Sequence, residues 1–143
     1  MKLLLYVLLS VFAVSCDAQT KPIRFGKDAC AQCRMIISDP RFGAELVTDK
    51  GKVFVFDDLN CYWNYRNNKA LKAEEIAHSV VVIFNKPGTF KEADQLCFLQ
   101  SGAIRSPMGS GMAAFDGDSV CKAEEIRLKA VLLSWEGVAE RLR

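Results

Sequence analysis

Sulfur carries the most distinctive chemistry in this chain. The run Cys30-Ala31-Gln32-Cys33-Arg34-Met35 places two thiols and a thioether close together. Thiolate and thioether sulfur are polarizable and prefer soft metals, Cu(I) above all. Two cysteines separated by two residues can turn both sulfurs onto one ion. Met35 adds a neutral sulfur, which keeps the charge of a site low, eases release and favours Cu(I) over Zn(II). Arg34 is placed to steady a thiolate and lower its pKa. A second sulfur stands in an unusual place. Ser106-Pro107-Met108-Gly109-Ser110-Gly111 is a loop sequence, and core packing does not readily explain a methionine there. Gly109 and Gly111 let the backbone approach another group closely. The expectation is that Met108 closes over the first cluster as a further thioether. Met112, opening the next strand, belongs to the core.

Other chemistries compete for the same residues. A Cys-x-x-Cys pair, taken alone, is equally a disulfide or a redox pair. A thioredoxin-like pair follows a strand and opens a helix. Here the pair follows Lys27-Asp28 and leads into Met35 to Pro40, which reads as strand then turn. A closed zinc site would need Cys30, Cys33 and two of Cys61, Cys97 and Cys121. Those three lack paired spacing and sit among apolar neighbours, as small core residues do. A thiol-disulfide oxidoreductase, and a structural protein with a disulfide or zinc clip, are therefore the alternative readings. The single His78 precedes a strand and reads as a surface or strand-edge residue. Asp57, Asp58 and Asp116 read as helix caps. No G-x-S-x-G, H-E-x-x-H or P-loop pattern occurs.

The elements that must position these groups are legible in outline. The chain has 143 residues and a formal charge of +2; 50% of it is apolar and 25% charged, which is ordinary globular composition. With so small a charge and no basic block, no nucleic-acid partner is expected. Phe42 to Thr48 and Lys52 to Phe56 alternate around Asp49-Lys50-Gly51, a hairpin signal. Asp57 or Asp58 then caps a helix beginning at Leu59, whose apolar face carries Cys61, Tyr62, Trp63 and Tyr65. Ser79 to Phe84 reads as a buried strand. The plan then repeats: strands at Leu96 to Gln100 and Met112 to Phe115, a helix from about Val120 to Leu128 capped by Asp116, Asp118 or Ser119, a strand at Ala130 to Trp135, and a last helical stretch. A local echo supports the repeat, Phe56-Asp57-Asp58-Leu59-Asn60-Cys61 against Phe115-Asp116-Gly117-Asp118-Ser119-Val120-Cys121. The fold class is α+β: two ββαβ-type units in one compact mature domain, spanning 23–88 with the Cys-x-x-Cys-x-Met run and 89–143 with the Pro-Met-Gly-Ser-Gly loop.

The start of the chain reads as an address. Met1-Lys2 precedes an apolar run from Leu3 to Val14, the layout of an export signal. The run is too short for a membrane span, which takes about 20 apolar residues. Its ending on Ser15-Cys16 resembles a bacterial lipobox, with Ala13 where Leu is usual. Residues 1–15 are then a signal peptide, Cys16 is the lipidated N-terminus, and 16–22 form a lipid-anchored tether. The protein would face the periplasm from the inner or outer membrane.

Taken in order, Cys30-x-x-Cys33-x-Met35-Ile36-Ile37-Ser38-Asp39, Arg41-Phe42-Gly43-Ala44, Asp49 to Cys61 with its Phe56-Asp57-Asp58 segment, and Pro107-Met108-Gly109-Ser110-Gly111 with Ala114-Phe115 resemble the NosL family, the lipoprotein accessory factors of nitrous-oxide reductase maturation. The resemblance runs from Cys30 to the C-terminus. It implies a fold of paired ββαβ units, similar to a domain of organomercurial lyase. It also implies a metallochaperone, not an enzyme, carrying Cu(I) to a membrane ABC-type assembly complex and on to the copper enzyme. The family's sulfur ligands would fall on Cys30 or Cys33, Met35 and Met108. The family usually has Gly between the second Cys and the Met; this chain has Arg34.

Overall fold

The computed structural model describes residues 18–143. The expected signal peptide and Cys16 lie outside the described residues. Two antiparallel sheets share one interior. The first has the strand order β2-β1-β3-β4, built from β1 (Ala44–Thr48), β2 (Val53–Phe56), β3 (Ile76–Val82) and β4 (Phe90–Glu92). The second has the order β6-β5-β7, from β5 (Cys97–Gln100), β6 (Met112–Phe115) and β7 (Val131–Leu133). Helix α1 (Leu59–Asn68) lies between β2 and β3, α2 (Asp118–Leu128) between β6 and β7, and α3 (Trp135–Leu142) closes the chain.

The repeat read from the sequence is therefore present as topology. In each half the first strand lies between the second and third, and the helix makes the connection from second to third. Central position explains the composition of β1: all five of its residues are buried, where an edge strand would alternate. One of them is Glu45, whose Oε2 accepts from the Lys21 backbone N at 3.0 Å. Lys21, near the end of the segment expected as a tether, is thus held against the sheet. The first sheet also runs past the expected boundary at residue 88, because β4 pairs with β3 through Val80–Glu92, Val81–Lys91 and Val82–Phe90.

The halves are not separate domains. Ile83 bridges to Ala114, and the Phe84 amide donates to the Ala114 carbonyl at 2.8 Å, so the end of the first unit lies along β6. One aromatic cluster spans both units. Tyr62 and Trp63 of α1 each stack against Trp135 of α3, and Phe98 of β5 packs on the same indole. Such pairs add about 0.5–1.5 kcal/mol each to the apolar area they bury.

Two helix starts differ in a way that matters for the site. Asp58 caps α1, its Oδ1 accepting from Asn60 N at 3.0 Å. The cap of α2 is Gly117 at φ 95°, without a side-chain bond, rather than the acidic or serine residues expected there. Asp116 instead binds Lys91 at 2.6 Å, an ion pair that ties the second unit to β4. Cys97 and Cys121 form a disulfide joining β5 to α2, where their apolar sequence neighbours point to separate small core residues.

Candidate metal centre

The Cys30–Met35 run is a tight loop fastened at both ends. Cys30 N donates to the Met35 carbonyl at 2.8 Å and Arg34 N to the Cys30 carbonyl at 3.0 Å. Ala29 bridges to Ile36, so Met35 to Ile37 contribute a single bridge instead of the expected strand. Ala31 N donates to the Val55 carbonyl at 2.8 Å, which docks the loop on the open edge of β2. No helix opens at Cys30, so the local frame of a thioredoxin-type pair is missing.

Arg34 has φ 69°, in the left-handed region that glycine enters freely. The turn needs this conformation to close, which gives a physical reason for a glycine at that position in the NosL pattern. A non-glycine residue costs about 1 kcal/mol there. Arg34→Gly is expected to stabilise the fold by about that amount, seen as a higher urea midpoint with an unchanged slope.

Docking on β2 brings the loop against the start of α1. The Sγ atoms of Cys30, Cys33 and Cys61 and a carboxylate oxygen of Asp57 all lie within 4.8 Å of one another. Cys30 and Cys61 are buried and Cys33 is half-buried. The Cys33 thiol donates to Asp57 Oδ2 at 3.3 Å. Asp57 Oδ1 is buried and has no hydrogen-bond partner. An unpaired buried carboxylate oxygen is costly, and a cation among these donors would relieve it.

The second sulfur loop is anchored from the other unit on the helix start that carries Asp57 and Cys61. Asp58 Oδ2 accepts from Met108 N at 2.8 Å and from Ser110 N at 3.5 Å, while Asn60 Nδ2 donates to the Met108 carbonyl at 3.0 Å. Asp58 and Asn60 are the chain neighbours of Asp57 and Cys61, so both polar groups of Met108's backbone are held beside the thiol cluster. Gly111 makes the loop possible: it has φ +64°, and a Cβ there would lie 3.2 Å from the Ser101 carbonyl oxygen. Met35 and Met108 are both exposed, at 57% and 38%.

Among solved structures, the copper chaperone NosL from Shewanella denitrificans matches this chain with a TM-score of 0.71 and 19% identity, covering 83% of this chain and 94% of that one. The chain has a NosL-like fold. No protein-family model matches the sequence, and no curated protein does. The architecture expected from the motifs is thus found again through three-dimensional shape.

Within that fold the three thiols are electrostatically unequal. A hydrogen bond from Cys61 lowers the Cys30 thiol to about 6; burial opposes this, and backbone N–H groups of Cys33, Asp57 and Gln32 assist it. Burial raises Cys33 to about 11, and the neighbouring Cys30 and Asp57 add to that. Cys61 is raised chiefly because it is the donor to Cys30, with burial and Asp57 acting in the same direction. Cys30 is thus the most acidic of the three, and the thiolate is the form in which a cysteine binds metal.

Of the residues expected at the site, Cys30 and Cys33 are together, Met35 follows on the same loop, and Met108 is anchored on the adjoining helix start. His78 is across the sheet on β3, where its Nδ1 meets Glu92 Oε1 at 2.6 Å. Two further donors join Cys30 and Cys33: Cys61, which the sequence alone offers as a core residue or a zinc candidate, and Asp57, which it offers as a cap. The doublet Asp57-Asp58 held the signal, since one helix needs one cap and the second carboxylate is left for other work.

Proposed function

We propose that the protein is a Cu(I)-binding metallochaperone that takes its ion through Cys30, Cys33, Met35 and Met108. The observation that carries this reading is the convergence of Cys30, Cys33 and Cys61 within 4.8 Å beside the anchored Met108 loop. Soft sulfur donors that run from buried thiols to exposed thioethers suit an ion that must be accepted and surrendered. Transfer proceeds by ligand exchange, in which an acceptor's sulfur or imidazole enters before the chaperone's last sulfur leaves. No turnover of a substrate is involved.

Several features support export. The first 15 residues have the layout of a signal, Cys16 follows at the cut, and the Cys97–Cys121 disulfide suits an oxidising compartment. We place the protein on a lipid anchor facing the periplasm. There the anchor raises its effective concentration near a membrane ABC-type assembly complex without any new contact. Nitrous-oxide reductase is the client that the NosL resemblance favours. Cys16→Ser is expected to move the protein from the membrane to the soluble fraction, as fractionation and mass spectrometry of the N-terminus would show.

Competition against bathocuproine disulfonate under anaerobic conditions tests copper binding directly. The reading fails if the intact chain takes up no Cu(I). Protons compete for the same sulfurs, so apparent affinity falls as pH falls. Near neutral pH, binding by Cys33 displaces its proton. Below about 6, Cys30 must lose one as well, and the decline steepens. Each displaced proton costs about tenfold in affinity per pH unit, so the competition curve should bend near that value.

One observation favours a second reading. Three cysteines and one carboxylate make a four-donor set that Zn(II) could fill tetrahedrally. A zinc clip would be structural, and chelation would then unfold the protein.

A further inference from the structure

We propose that Cys61 is the third sulfur donor of the copper site, forming with Cys30 and Cys33 a buried thiol seat distinct from the exposed thioethers of Met35 and Met108, which receive the ion on its way out. This rests on the Cu(I) reading and deepens it.

Position argues first. Cys61 lies in the first turn of α1, and its Sγ is within 4.8 Å of the other two sulfurs. A metal–thiolate bond of about 2.3 Å places the sulfurs of a trigonal site about 4 Å apart, so the seat needs only a small contraction. Burial argues second. Cys30 is 0% exposed and Cys61 3%, against 57% for Met35 and 38% for Met108. The donors thus divide by depth, with half-buried Cys33 between the two groups. The surroundings argue third. A cysteine serving only as a small core residue would face apolar atoms. Cys61 faces two sulfurs and Asp57, a side chain 3% exposed with Oδ1 unpartnered.

The chemistry balances without any redox change. On loading, a Cu–S bond forms at each binding cysteine, the S–H bonds of those still protonated break, and the protons pass to buffer. On release, a thioether lone pair of Met35 or Met108 enters. One Cu–S(thiolate) bond then breaks, and the freed sulfur takes a proton back from water. Copper remains Cu(I) throughout. A deep thiol seat holds the ion against loss, and neutral thioethers at the surface bind it more weakly, which lets it move on once the freed thiolate has been reprotonated.

The test compares three full-length proteins loaded anaerobically with Cu(I), by copper X-ray absorption and by the rate of loss to bathocuproine disulfonate. The intact chain is expected to show three sulfurs. Cys61→Ser should show two and lose copper about tenfold faster or more. The double variant Met35→Leu, Met108→Leu should keep three sulfurs and release copper more slowly. If Cys61→Ser leaves both sulfur count and release rate unchanged, the seat is wrong while the chaperone reading stands. If the intact chain binds no Cu(I), both fall. Should Cys61→Ser not fold, the double methionine variant decides alone, since it changes only exposed side chains. A drop below three sulfurs there would put a thioether in the resting site and overturn the proposal.

Discussion

Replacing Cys30 and Cys33 together by serine should abolish useful Cu(I) retention, with a loss of about a thousandfold in affinity, or roughly 4 kcal/mol. The change removes the most acidic thiol of the cluster and its half-buried neighbour. A serine hydroxyl is a hard, protonated oxygen and has little affinity for a soft cation. Competition with bathocuproine disulfonate measures the loss. Unchanged affinity would show that the ion sits elsewhere. The same variant, and the intact protein after chelation, should still unfold in one cooperative transition, at a midpoint below that of the loaded protein because the bound ion stabilises the native state. The core explains why: Phe56, Tyr62, Trp63, Phe98 and Val138 form one buried cluster without help from an ion. Unfolding on chelation would favour the zinc clip over the carrier.

The largest effect on stability is expected from the other cysteines. The Cys97–Cys121 disulfide closes a loop with a sequence separation of 24 and ties β5 to α2. Its loss releases that constraint in the unfolded chain and should cost about 3 kcal/mol. Urea unfolding of the double variant Cys97→Ser, Cys121→Ser would measure it. The interior beneath α2 makes the dependence plausible: Phe42, Leu99, Ile104, Ala113 and Phe115 are a small group, with Cys121 among them. The thiol centre is built on β2, α1 and the loop from Cys30, so copper affinity should survive in the fraction that remains folded. A variant that loses copper binding while its unfolding midpoint stays fixed would contradict this separation.

Most of the scaffold was legible because its signals are local. Alternation placed β1 and β2, the Asp49-Lys50-Gly51 turn joined them, and the Asp57-Asp58 doublet announced α1. The misreadings share a cause. The cap of α2 went to Gly117 because Asp116 is drawn to Lys91, a residue 25 positions earlier. β4 joined the first sheet because β3 had a free edge, which no feature of Phe90–Glu92 reveals. Arg34 in a left-handed turn could be suspected only from the glycine of the resembling family.

The cysteines show best what the linear chain decides and what it does not. Residue type and spacing determined that Cys30 and Cys33 form a pair, that a methionine follows them, and that Met108 stands in a loop. These are matters of soft-donor chemistry and of backbone reach over a few residues. Which further cysteines join the pair was decided only in three dimensions. Cys61, Cys97 and Cys121 have similar apolar neighbours in sequence, yet Cys97 and Cys121 close on each other while Cys61 turns toward Cys30. Contact between such distant residues depends on how the sheets and helices stack, and burial of the shared aromatic core, a sum over the whole chain, sets that stacking.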